Sequence, residues 1–118
     1  MLIYLAGGMK SNWQDKVMTA CHSHEFIDPR KHGLTSEKEY TDWDLSGVRA
    51  SDLIIAYMDS ENPSGYGLSL EVGYAHAYHK PIWYVCEDKT DRQRYFGMVR
   101  ACSTKLFDSL ESAIKELT

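Results

Sequence analysis

Asp52-Leu53-Ile54-Ile55-Ala56-Tyr57 is the stretch on which the fold turns. Five largely apolar residues in a row suit a central strand of a parallel sheet, covered on both faces, rather than a ribbon with one wet side. After it, residues 59 to 67 are polar and rich in proline and glycine, which marks a turn. Leu68, Leu70, Val72 and Ala75, extended by Ala77 and Tyr78, then predict a helix ending near His79-Lys80, ahead of Pro81. Ile82-Trp83-Tyr84-Val85-Cys86 reads as a second core strand.

The pattern extends to both ends of the chain. Leu2 to Ala6 is a short buried strand closed by Gly7-Gly8, and Trp13, Val17 and Ala20-Cys21 recur at helical spacing, with Asn12 placed to cap that helix. Glu25 to Asp28 is a further strand stopped by Pro29. Residues 30 to 40 show no apolar period and are expected to be irregular. A short helix is predicted over Asp42 to Ala50, with Leu45 and Val48 inward and Asp42 or Asp44 as its cap. Residues 87 to 94 read as a charged, solvated connection. Thr104 to Phe107 forms a last strand and Ser109 to Leu117 an amphipathic helix with Leu110, Ile114 and Leu117 inward. Four or five strands alternating with helices predict one doubly wound α/β domain over residues 1 to 118.

Composition narrows the function classes. The chain is 43% hydrophobic and 25% charged, with net charge -4 and no lysine or arginine block, so neither a nucleic-acid polymer nor an anionic membrane is an expected partner. No apolar run is long enough for a signal peptide or a helical span, which leads to the expectation of a soluble, cytoplasmic protein. Three widely spaced cysteines, Cys21, Cys86 and Cys102, read as free thiols in a reducing compartment. The histidines lack any metal-specific spacing; His76 and His79 are read as a helix surface or subunit contact.

In a doubly wound sheet, ligands gather outside the carboxyl ends of the strands. That rule draws attention to Gly7-Gly8-Met9, Asp28-Pro29-Arg30, Met58-Asp59 and Glu87-Asp88, with the turn from Ser64 to Glu71 overhanging the same edge. Tyr4, Gly7, Gly8, Asp28, Asp42, Asp44, Asp59 and Glu71 thus surround an expected crevice. Two carboxylates beside one sugar can divide the work, one attacking the anomeric carbon and the other protonating or orienting the leaving group. Gly7-Gly8 lacks the later glycine of a dinucleotide fingerprint, and no P-loop lysine motif is present. Dinucleotides and triphosphates are therefore poor fits.

Tyr4-Leu5-Ala6-Gly7-Gly8-Met9, Trp13-Gln14, Asp28-Pro29-Arg30, Trp43-Asp44, Ser51-Asp52-Leu53-Ile54, Glu71-Val72-Gly73-Tyr74-Ala75 and Lys80-Pro81-Ile82 stand in this order along residues 2 to 85. Together they resemble the nucleoside 2-deoxyribosyltransferase superfamily. The resemblance implies a flavodoxin-like fold and N-glycosidic chemistry at a 2'-deoxyribose, with Glu71 as nucleophile at C1'. It implies that Asp44 protonates or holds the base or organises the sugar, that Tyr4 lies near the nucleophile, and that Gly7 and Gly8 shape the ligand-side turn, with Met9 and Gly67 as further substrate-binding candidates. No metal or organic cofactor is implied. The expected partners are a nucleoside or deoxynucleotide and a free nucleobase, and a homodimer or higher homo-oligomer is implied; Tyr74, Tyr78, Trp83 and Tyr84 are candidates for its surface, with core packing the competing reading for at least half of them.

A neighbouring activity of the superfamily is hydrolysis of 2'-deoxynucleoside 5'-monophosphates, in which Ser64 and Ser69 would meet the phosphate. A non-catalytic nucleotide-binding or interaction protein is the reading outside enzymology. The family's usual Gly-Thr ahead of the glutamate is Gly67-Leu68 in this chain.

Overall fold

The computed structural model describes residues 1–61 and 65–118. Five strands form one sheet in the order β2-β1-β3-β4-β5: β1 (Leu2–Gly7), β2 (Glu25–Ile27), β3 (Leu53–Met58), β4 (Ile82–Cys86) and β5 (Lys105–Phe107). Every neighbouring pair is parallel. Five helices connect and flank them: α1 (Trp13–Ala20), α2 (Glu37–Ala50), α3 (Tyr66–Ala77), α4 (Gly97–Cys102) and α5 (Leu110–Leu117). The expected α/β, flavodoxin-like architecture is the one observed.

Alternation along the strands creates two cores. Ile54, Ala56 and Met58 of β3 join Tyr4 and Ala6 beneath Val48 of α2, Leu68, Val72 and Ala75 of α3, and Val99 of α4. Leu53, Ile55 and Tyr57 face the other way, with Ile3 and Leu5, against Trp13 and Val17 of α1 and Leu110 and Ala113 of α5. All six residues of β3 are buried, the consequence of lying in the middle of a sheet with helices on both faces. Truncating Ile54 or Ile55 to alanine would therefore cost about 2–5 kcal/mol.

Several local expectations are corrected. Asn12 occupies the residue before α1 with φ 57° and makes no side-chain cap. The irregular stretch expected over residues 30 to 40 holds a 3-10 turn, Pro29–Lys31, and the first turn of α2. That helix begins five residues before Asp42, because the Ser36 side chain accepts from Glu39 N and caps it. Neither Asp42 nor Asp44 is a cap. Residues 87 to 94 also fold back: a 3-10 segment, Asp91–Phe96, leads into α4. Asp88 is buried there, accepting from Thr90 N, Arg92 and Gln93.

Helix α3 starts at Tyr66, two residues earlier than the apolar period indicates, with Gly65 in the left-handed conformation at φ 62°. It ends with His79 at φ 58° and Lys80 N donating to Ala75 O, and Pro81 prevents continuation. Of the four aromatic residues weighed between interface and core, Tyr84 is core and Trp83 packs on Phe107 at 5.1 Å between ring centroids. Tyr78 is exposed and its ring meets that of Tyr74 at a tilt, 5.0 Å between centroids. His76 and His79 are both exposed. The three cysteines are unpaired, Cys21 buried and the others half-buried. Among the described residues no helix is long and apolar enough to cross a membrane.

Candidate active site

The topology switches direction between β1 and β3, whose outgoing connections leave toward opposite faces. A crevice of about 540 Å³ opens there, at the carboxyl ends of the strands. Its floor is the end of β1, Gly7-Gly8-Met9-Lys10, and the end of β3, Tyr57-Met58. One wall is α2, through Tyr40, Thr41, Asp44 and Leu45. The other is the start of α3, through Gly65, Gly67, Leu68, Leu70 and Glu71.

The floor is fixed by two side chains of α1. Trp13 Nε1 and Gln14 Nε2 both donate to Gly8 O at 2.9 Å, which pins the turn after β1. Gly7 lies so close to its partner strand that a Cβ would stand 2.6 Å from Tyr57 O. Tyr57 in turn donates to Glu87 Oε1 at 2.6 Å, while Glu87 Oε2 accepts from Leu110 N at 2.8 Å and caps α5.

Glu71 projects from the second turn of α3 and Tyr4 from the fully buried middle of β1. The Tyr4 hydroxyl donates to Glu71 Oε2, leaving Oε1 without a partner among the described residues. Burial pushes the Glu71 carboxyl up to about 7, the Tyr4 hydrogen bond working against that rise and the negative charge of Asp44 adding to it. Burial and the adjacent Glu71 carboxylate hold the Tyr4 phenol far above its ordinary value, so it remains a donor. Burial also raises the Asp44 carboxyl, which His32 opposes from 3.8 Å. Two carboxyl groups that keep protons nearer neutrality than surface acids, one held by a phenol, suit nucleophilic and acid-base roles.

A model of the family described as Nucleoside 2-deoxyribosyltransferase matches residues 3–110. The chain belongs to this family. Among solved structures, a 2-deoxyribosyltransferase from Bacillus psychrosaccharolyticus superposes with TM-score 0.74 at 17% identity, over 97% of this chain and 90% of that one. The 2-desoxiribosyltransferase from Leishmania mexicana gives 0.73 at 20% identity, over 98% and 95%. The CMP N-glycosidase BcmB from Clostridium botulinum gives 0.68 at 18% identity, over 99% and 97%. No curated protein matches the chain in sequence.

Within this deoxyribosyltransferase-family fold, the residues expected from sequence divide into two groups. Glu71, Asp44, Gly7, Gly8, Met9 and Gly67 line the crevice, and Tyr4 reaches it from below through Glu71. Asp28, Asp42, Asp59 and Ser69 do not line it. Asp28 is buried and forked by Arg30, whose Nη2 lies 2.7 Å from Asp28 Oδ2 and 2.7 Å from Asp15 Oδ1. Asp42 points to solvent and pairs with Lys38. Asp59 accepts from Glu61 N at 2.9 Å, and the Ser69 hydroxyl donates to Gly65 O within its own helix. Ser64 lies outside the described residues. Sequence reasoning missed Lys10, Tyr40, Thr41, Leu45 and Tyr57 as lining residues. For the α2 residues the available signal was Ser36-Glu37-Lys38-Glu39, a helix-start pattern that places Tyr40, Thr41 and Asp44 on neighbouring turns.

Proposed function

We propose that this protein is a nucleoside 2-deoxyribosyltransferase that works by two displacements at C1'. The observation that carries the reading is the Glu71 carboxylate, held by Tyr4 on one oxygen, in a crevice it shares with Asp44. In the first step Glu71 Oε1 bonds to C1' as the C1'–N bond breaks, and the electron pair leaves with the base. Asp44 orients that base or supplies its proton. In the second step a nitrogen of another base attacks C1' and releases the Glu71 carboxylate, so two inversions give net retention. Tyr4 keeps donating throughout, which steadies the carboxylate as leaving group and fixes its rotamer.

Apolar Leu45 and Leu68 in the crevice walls and Met58 in its floor limit water around the glycosyl intermediate, a condition for transfer over hydrolysis. The family name and the two deoxyribosyltransferases among the structural relatives support transfer. Hydrolysis of a nucleoside monophosphate is the second reading, favoured by Lys10 at the crevice and by the similarity to a CMP N-glycosidase. A homodimer belongs to the same proposal, with exposed Tyr66 and Leu70 beside the crevice mouth as its apolar contact.

A product-resolved assay of deoxynucleosides and their monophosphates, each with and without a free acceptor base, tests both readings. An exchanged nucleoside selects transfer, and base release without exchange selects hydrolysis. Folded protein that yields neither product across the panel rules out glycosyl chemistry, leaving a nucleotide-binding role.

A further inference from the structure

His32 lies in the segment that the sequence leaves irregular, yet its ring is fixed from several sides. Leu34 N donates to its Nδ1 at 2.8 Å, and a ring nitrogen that accepts carries no proton. In the neutral ring the proton therefore sits on Nε2. Tyr40 lies nearly parallel to the imidazole, 8° between planes at 6.2 Å, and Trp43 meets it edge-on at 5.3 Å. So held, Nε2 faces Asp44 Oδ1 at 3.8 Å. That oxygen is buried and has no hydrogen-bond partner among the described residues, a costly state for a carboxylate.

We propose that His32 is the positioning residue for Asp44: its Nε2–H, aimed by the Leu34 amide and the Tyr40 and Trp43 rings, holds Oδ1 and leaves Oδ2 to meet the substrate. The inference rests on the glycosyl-transfer reading of Asp44. The separation is longer than a hydrogen bond, and such contacts tighten when ligand closes a site. Asp44 and Tyr40 of α2 are titratable groups against the ring. Arg30 and Lys31 share its turn, and Arg30 is already forked onto Asp28 and Asp15. On its far side Asp44 faces Glu71 and Tyr4, both of which it influences electrostatically. Donation from His32 favours the ionised form of Asp44 against the burial that opposes it. The Asp44 rotamer is thereby fixed.

The test uses the full chain and three readouts. Nitrogen-15 spectra should show the neutral His32 ring protonated on Nε2. His32→Ala should move the Asp44 Cγ titration to higher pH and lower kcat about 10–100-fold with little change in KM. His32→Gln, which keeps a donor of similar reach, should restore kcat to within about threefold of wild type and also serves if the alanine variant folds poorly. An Nδ1-protonated neutral ring, or an Asp44 titration unmoved in His32→Ala, overturns the contact. Unchanged kcat in a folded His32→Ala overturns the positioning role. Wild-type protein without exchange or base release sinks the functional reading alone, and the two spectroscopic readouts then still decide whether His32 holds Asp44.

Discussion

The Tyr4 hydroxyl donates to Glu71 Oε2, joining the middle of the first strand to the helix after the third across 67 positions of sequence. Both groups are drawn from the crowded seam between sheet and helix, where water is scarce. Burial there raises both proton affinities, and the bond between them partly offsets the rise for Glu71.

Glu71 has a distinctive pH signature. Its carboxyl is raised from 4.5 to about 7 on folding, so between those values the unfolded chain loses the proton first and folding stability falls as pH rises. Glu71→Gln keeps an acceptor for Tyr4 and removes that charge. Calorimetry at pH 4 and pH 8 should find the variant close to wild type at the lower pH and higher in Tm at the upper. Equal Tm differences at the two pH values would exclude a raised Glu71. The same variant should lower kcat by about three orders of magnitude or more.

Wild-type kcat/KM should rise with pH through about 7 as Glu71 ionises. Tyr4→Phe removes the donor that favours the ionised form, so the rise should move to higher pH. Loss of a hydrogen bond to a carboxylate should cost about 1.5–3 kcal/mol at pH 8, read by urea unfolding. A limb that moves to lower pH would contradict the observed donor.

Asp44→Asn should act in the opposite direction on the same limb. The Asp44 charge adds to the burial that raises Glu71, so its neutralisation shifts the rise in kcat/KM to lower pH while kcat falls about 10–100-fold. Kinetics matching wild type across pH would reduce Asp44 to a scaffold residue.

Gly7→Ala probes the floor of the crevice. The new Cβ would lie 2.6 Å from Tyr57 O and 3.0 Å from the Trp13 ring, and φ of 153° is unfavourable for alanine. The expected destabilisation is about 1–3 kcal/mol by denaturant titration, with loss of substrate affinity. A variant as stable as wild type would mean that β1 and β3 separate there without cost.

The strands and the helix carrying Glu71 were legible because each has a local cause. The run over residues 53 to 58 alternates its neighbours between two cores, and Pro81 and Pro29 stop the elements before them. The capping assignments failed where geometry beyond the side chain decided. Ser36, six residues before the expected start, caps α2, which turned Asp42 toward Lys38 and Asp44 toward the crevice. Asp28 stood where a ligand contact is expected, after a strand. Arg30, two residues later, neutralises it instead.

Periodicity, proline and glycine placement and the ordered motifs determined, from sequence alone, a doubly wound sheet with Glu71 near its ligand edge. Only tertiary structure decided which acids act there, because partner choice depends on distances across elements. It engaged Asp28 with Arg30 and exposed Asp42 to solvent. It brought Tyr4 to Glu71, and it set His32, which no local pattern distinguishes, beside a buried and unpartnered oxygen of Asp44.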